Sequence, residues 1–293
     1  MPDKQHPPQA ATPEEGVSTY VTLEGMRFHS VSWGPPDAPV LLCLHGLRSY
    51  ARTFQPLAAA LSSEFRVIAL DQRGRGKTDW DPHRDYHAVR YAKDIGAFLD
   101  ALNLQAVHLL GHSMGGNNAL LYSLENAQRL RSLILEDSGP GASRNSEGAT
   151  RINHELSQTP TVFADWDSAR RFWRSIRPNV TEEAIDSRVS NSMHQTPEGI
   201  GWVHDQAGIT QCRLHPSQPD PDLWPCIKKI SCPTLLLRGA RSDYLARTTF
   251  EQMLDTNPLI EGVEIEGAGH YLHDDQPQRF NEAVADFLRR QPR

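Results

Sequence analysis

The chain has 293 residues, of which 38% are hydrophobic and 23% charged. That length buries a core without disulfides or a structural metal, and the balance excludes wholesale disorder. A net charge of -6 offers no broad basic field for nucleic acid or an anionic membrane, and no apolar run approaches the roughly 20 residues of a membrane span.

The opening MPDKQHPPQAATPEEG is polar and proline-rich, unlike a signal peptide. Residues 1–16 are expected to form a flexible tail. Tyr20–Leu23 and Arg27–Trp33 alternate around Glu24-Gly25 and predict a hairpin. Val40–Leu44 is continuously apolar, as a strand covered on both faces should be, and ends at His45-Gly46. A helix is predicted near Ala51–Leu61, a strand at Arg66–Leu70, a helix at Tyr91–Leu102 and a strand at Ala106–Leu110. Met114–Leu124 reads as helix and Leu130–Leu135 as strand. Cys232–Leu237 and Val263–Glu266 read as two more strands, with helices near Thr248–Leu254 and Gln276–Arg290. Strands alternating with helices indicate a mainly parallel sheet. From about Gly139 to Lys229 the pattern breaks into a helical, polar stretch bearing Trp166, Trp173, Trp202 and Trp224, with no buried strand. It is expected to be an inserted cap, residues 139–229, over a core of residues 17–138 and 230–293.

The decisive segment is Gly111-His112-Ser113-Met114-Gly115, between a buried strand and a helix. A serine held in a strained strand-to-helix turn needs neighbours without side chains two positions away. The helix that starts there sets its free amides and positive dipole end beside a developing oxyanion. His45-Gly46-Leu47 closes an earlier strand, so the Leu47 amide can join that of Met114 as an oxyanion donor. His270, in Gly267-Ala268-Gly269-His270, follows the last strand and is the expected base. For the acid, Asp243 follows the penultimate strand, and Glu136, ending the strand before the cap, is its rival. Asp243 is preferred on position.

Taken together, His45-Gly46, Asp71-x-Arg73-Gly74-x-Gly76, Gly111–Gly116, Gly239-x-x-x-Asp243 and Gly269-His270 resemble the α/β-hydrolase superfamily, over nearly the whole chain except tail and cap. The resemblance implies an eight-stranded, mainly parallel sheet flanked by helices, with a helical cap after the sixth strand. It also implies a Ser113–His270–Asp243 triad, an oxyanion hole at Leu47 and Met114, and no cofactor. The serine looks like that of esterases, lactonases, amidases and carbon–carbon bond hydrolases, and an ester or lactone is the favoured substrate.

Arg48, His112, Trp173 and Arg174 are candidate substrate contacts. In the cap, Ala169, Phe172, Trp173 and Ile176 share one helical face, while Arg170, Arg174 and Arg177 share the other. That basic stripe is either a solvated face or a reader of a substrate carboxylate. His83 with His87, and His273-Asp274-Asp275, lack the further ligands a metal needs, so no metal is expected. Cys43, Cys212, Cys226 and Cys232 lack paired CxxC spacing, and reduced thiols in a cytoplasmic enzyme are expected, although a Cys226–Cys232 bridge is conceivable. The expected partner is a small acyl compound, without nucleic acid or membrane, for a monomer or homodimer. A non-catalytic small-molecule receptor on the same fold is the rival of a different class.

Overall fold

The computed structural model describes residues 15–178 and 180–291. Most of the expected tail, residues 1–14, lies outside them. Eight strands form one sheet: β1 (Val17–Leu23), β2 (Met26–Trp33), β3 (Val40–Leu44), β4 (Arg66–Leu70), β5 (Val107–His112), β6 (Leu130–Glu136), and, after an insertion, β10 (Thr234–Gly239) and β11 (Ile260–Ile265). Their order is β1-β2-β4-β3-β5-β6-β10-β11, and β2 alone runs against the rest.

The apolar runs of the central strands follow from burial on both faces. Leu42 and Leu44 of β3 pack into one core with Leu109 of β5, while Leu41 and Cys43 pack into the opposite core with Leu110. Successive side chains of a strand point to opposite faces, so a strand buried on both sides carries no polar alternation. The helices Ala88–Ala101 and Met114–Asn126 lie on the first face. Pro277–Arg289 covers the second through Phe280, Val284, Phe287 and Leu288.

The insertion between β6 and β10 is not wholly helical. Besides the helices Glu147–Gln158, Trp166–Ile176, Glu182–Ser192 and Gln206–Leu214, it holds a small antiparallel sheet of β7 (Val162–Phe163), β8 (Met193–Thr196) and β9 (Gly199–Trp202), ordered β7-β9-β8. Ile200, Gly201 and Trp202 of β9 are buried, which corrects the expectation of no buried strand. Strands of two to four residues are too short to show a period of two. The insertion has its own core of Phe163, Ala169, Trp173, Val180, Ile185, Met193, Ile200 and Trp202. Trp166–Ile176 turns Ala169 and Trp173 into it, and Asp165 caps this helix by accepting the Ser168 amide at 2.7 Å.

Hydrogen bonds tie the insertion to the sheet domain. The Trp80 indole donates to the Val203 carbonyl at 2.8 Å, and the Tyr86 hydroxyl donates to Asp205 at 2.9 Å. All four cysteines are free thiols. No helix among the described residues is long and apolar enough to cross a membrane.

Trp173 is fully buried at the centre of the insertion's core, with Trp202 at a ring distance of 5.7 Å. Trp173→Ala is therefore expected to cost about 3–5 kcal/mol in urea unfolding. A loss below about 1 kcal/mol would show that this core does not contribute to the cooperative fold.

Candidate active site

Ser113 sits between β5 and the helix Met114–Asn126 with φ 53° and ψ -115°, a conformation most residues avoid. What enforces it is backbone crowding. A Cβ on Gly111 would lie 2.4 Å from the Gly115 carbonyl oxygen, and one on Gly115 would lie 2.2 Å from that of Leu44. Both positions must be glycine, as the motif requires. The Ser113 amide donates to the Glu136 carbonyl at 2.9 Å, which fastens the turn to the end of β6.

The Ser113 hydroxyl donates to His270 Nε2 at 2.9 Å, and His270 Nδ1 donates to Asp137 Oδ2 at 2.7 Å. The acid at the histidine is thus Asp137, not Asp243 and not Glu136. Asp137 follows directly on β6, its φ of 46° turning it back over the sheet. It also accepts from the Ser242 hydroxyl at 2.6 Å and from the Gly239 amide at 3.3 Å. Asp243 instead grips one edge of the Arg151 guanidinium, accepting from Nε at 2.8 Å and from Nη2 at 3.0 Å. The loop after β10 does reach the site, but it contributes Ser242. β6 and β10 are neighbours in the sheet, so an acid on either loop can meet the base. The sequence signal for it is the doublet Glu136-Asp137, two carboxylates in succession at the end of β6.

Glu136 serves another histidine. Its Oε1 accepts from the His273 backbone amide at 3.1 Å and from His273 Nδ1 at 2.6 Å. The Thr53 hydroxyl donates to the far nitrogen of His273 at 3.1 Å. His112 Nε2 donates to the His270 carbonyl at 2.9 Å. One ligating atom from each of His112, Glu136 and His273 lies within 4.8 Å of the others, but His273 has both ring nitrogens engaged, and the group reads as a brace behind His270.

Burial holds the His270 imidazole well below its ordinary value, and the charges of Arg151 and Arg177 add to the effect. It is therefore neutral near pH 7, as a base must be. Burial pushes the Asp137 carboxyl up, against the pull of the Ser242 hydroxyl, the Gly239 amide and the Arg238 charge. The Tyr244 ring lies on that of His270, 4.1 Å between centroids.

A cavity opens onto Ser113, lined by Leu47, Arg75, Tyr91, Met114 and Tyr244 among others. The amides of Leu47 and Met114 find no acceptor among the described residues and border the same cavity. The first N–H groups of a helix have no partner within it, so Met114 has a donor to spare.

Four candidate contacts fall elsewhere. Arg48 is buried and bound to Glu155, and donates to the Thr159 hydroxyl at 3.2 Å. His112 is buried behind the histidine, and Trp173 is the centre of the insertion's core. Arg174 donates to the Val180 carbonyl at 2.7 Å and pairs with Glu182. Arg170 pairs with Glu182 and Asp186, so these two belong to a surface ion-pair network. Arg177 departs from the stripe. Its guanidinium stacks 3.7 Å over the Tyr271 ring and is buried.

A family model described as alpha/beta hydrolase family matches residues 41–283, and the chain belongs to that family. Among curated relatives, 2-(acetamidomethylene)succinate hydrolase of Mesorhizobium japonicum is 26% identical over 252 residues, covering 86% of this chain and 88% of the relative. The 3-hydroxybutyrate-oligomer hydrolase of Cupriavidus necator is 27% identical over 277 residues, covering 89% and 93%. The crystal structure of E-2-(acetamidomethylene)succinate hydrolase superposes with a TM-score of 0.84 at 25% identity, covering 94% of this chain and 99% of that one. The chain is a hydrolase of the alpha/beta type.

Asp137→Asn is expected to lower kcat by about 10⁴, since an amide there leaves His270 in the wrong tautomer. Asp243→Asn and Glu136→Gln should keep the larger part of kcat, and collapse in Asp243→Asn with activity retained in Asp137→Asn would reverse the assignment. Because the His270 pKa is lowered and the neutral form is the active one, activity persists as pH falls past the ordinary histidine value of about 6.5. It fades only when His270 gains its proton, so the acid limb of kcat/KM lies below that value. Removing one of the charges that keep the proton off, as in Arg177→Gln, moves the limb upward. A parent limb above pH 7 contradicts this account.

Proposed function

We propose that the protein hydrolyses a small carboxylic ester or lactone through an acyl-enzyme formed on Ser113. The observation that carries this reading is the continuous hydrogen-bonded chain from Ser113 through His270 to Asp137, beside two amides with no acceptor among the described residues and an open cavity. Ser113 Oγ attacks the carbonyl carbon while its proton passes to His270 Nε2. The oxyanion takes hydrogen bonds from Leu47 and Met114, a contribution of about 2.7–4 kcal/mol for each such donor where one has been removed in other hydrolases. Collapse breaks the bond to the leaving oxygen, which takes the proton from His270. Water then repeats the sequence in reverse and frees the acid. Asp137 keeps Nδ1 protonated and offsets the charge of the imidazolium in both halves.

A second reading keeps the triad and changes the bond, to an amide or a carbon–carbon bond. What favours it is the relative whose name is 2-(acetamidomethylene)succinate hydrolase. A receptor without turnover on the same fold can carry the same chain of hydrogen bonds, and turnover of a p-nitrophenyl ester separates it from an enzyme. Four free thiols fit a reducing, cytoplasmic setting.

Hydrolysis of p-nitrophenyl acetate and butyrate, γ-butyrolactone and the matching N-alkyl amides separates these readings. Ser113→Ala should abolish turnover with the melting temperature nearly unchanged, and a fluorophosphonate probe should label Ser113 in the parent. Turnover within tenfold of the parent sinks the nucleophile assignment.

A further inference from the structure

The chain as a whole is acidic, with a net charge of -6, but the cavity at Ser113 is cationic. Its ionised lining consists of Arg75, Arg144, Arg213 and Asp220. Arg144 Nε donates to Asp220 at 2.8 Å. Arg213 donates to Asn153 Oδ1 at 2.9 Å and to the Ser143 carbonyl, toward the rim.

Arg75 is the exception. It is 1% exposed and makes no ion pair with any carboxylate among the described residues. Its Nε donates to the Leu47 carbonyl at 2.8 Å, and its Nη1 to the Tyr91 hydroxyl at 2.6 Å and the Arg73 carbonyl at 3.1 Å. Among the described residues Nη2 meets only the Met114 sulfur, at 3.6 Å. Its carbon lies 5.3 and 5.5 Å from the ring centres of Tyr86 and Tyr91, which attract a cation but do not neutralise it. An arginine cannot shed its charge as a lysine can, and a buried charge with no counter-ion is costly. By contrast the neighbouring Arg73, equally buried, is met by both Asp81 and Asp94. The two donor hydrogens of Nη2 lack an oxygen, and they do so beside Met114, at the wall of the cavity that reaches Ser113.

We propose that Arg75 supplies the binding site for a carboxylate of the substrate, so that the compound cleaved at Ser113 is an anionic acyl compound with a carboxylate remote from the reacting carbonyl. This rests on the serine-hydrolase reading and narrows it. The ligand supplies the charge the cavity lacks, and two hydrogens on one nitrogen suit a carboxylate oxygen better than the wider shell of a phosphate. A charge-assisted contact in a site shielded from water both selects and orients the substrate.

The test uses monomethyl and dimethyl esters of succinate, glutarate and adipate, which differ in one negative charge. The parent should prefer at least one monomethyl ester over its dimethyl partner in kcat/KM. Arg75→Gln should lower that preference at least about tenfold, chiefly through KM, and Arg75→Lys should restore part of it. Parent preference for the neutral diesters at every length overturns the proposal. So does a preference that survives Arg75→Gln, or one lost in Arg177→Gln instead. Calorimetric titration of Ser113→Ala with free glutarate and adipate needs no turnover, so it reports on the anion site even if the hydrolase reading fails. Binding that vanishes when Arg75→Gln is added supports the proposal, and equal binding with and without Arg75 overturns it. Should Arg75→Gln not fold, the chain-length series on the parent and the Ser113→Ala titration decide: no preference for a monoanion and no heat with either diacid overturn it.

Discussion

Everything at the site depends on how closely three backbones meet below Ser113. The Gly115 Cα faces the Leu44 carbonyl at a distance that leaves no room for a methyl group, and Gly111 faces the Gly115 carbonyl in the same way. The end of β3, the end of β5 and the first turn of the following helix are thereby locked together. Leu47, three residues beyond β3, and Met114, the first residue of the helix, both line the cavity at Ser113. The Ser113 amide reaches across to the Glu136 carbonyl, so the end of β6 is fixed to the same point, and the next residue is Asp137. These contacts together set the positions of Ser113, Leu47, Met114 and Asp137. The positive φ of Ser113 is the conformational strain they bring.

Burial holds His270 well below its ordinary pKa, and the charges placed around it act on the same group. Arg151 and Arg177 disfavour a second positive charge on His270, while Asp243 works in the opposite direction. Asp243 and Glu155 also serve as counter-ions of Arg151. The carboxylate that sequence position favoured as the acid therefore does act on His270, through its field rather than through a hydrogen bond. Removing it strips one side of a guanidinium close to the base.

The sheet was legible because buried parallel strands are short, uninterrupted apolar runs between glycines and polar turns. All eight expected strands form, with boundary shifts such as β11 starting at Ile260, where the edge of the sheet leaves Glu261 and Val263 partly exposed and blurs the pattern. Ser113, Leu47, Met114 and His270 were legible because each is tied to a glycine-marked turn at a strand end. The insertion's sheet was not, since Val162–Phe163 is only two residues long. Nothing in the local sequence distinguishes Arg73, which meets two aspartates, from Arg75, which meets none. The partners of Arg73 lie 8 and 21 residues away, at Asp81 and Asp94.

The acid was misread because consecutive residues at the end of a strand point to opposite sides, and the sequence does not say which side faces the base. At the end of β6 both answers are used at once. Glu136 turns to His273 and Asp137 turns to His270, two histidines on one short segment. Two successive carboxylates therefore clamp that segment, and His112 adds a third tie through the His270 carbonyl. A single acid–histidine bond would fix the imidazole but leave its backbone free to drift. The Glu136 clamp three residues downstream and the His112 donor hold the backbone that carries His270 from β6 and β5, and the Arg241 amide and the Thr53 hydroxyl add ties from elsewhere in the fold. The insertion reaches the same segment, since Arg177 lies over the Tyr271 ring and Arg188 pairs with Asp274, so the placement of His270 against Ser113 draws on both the sheet and the insertion.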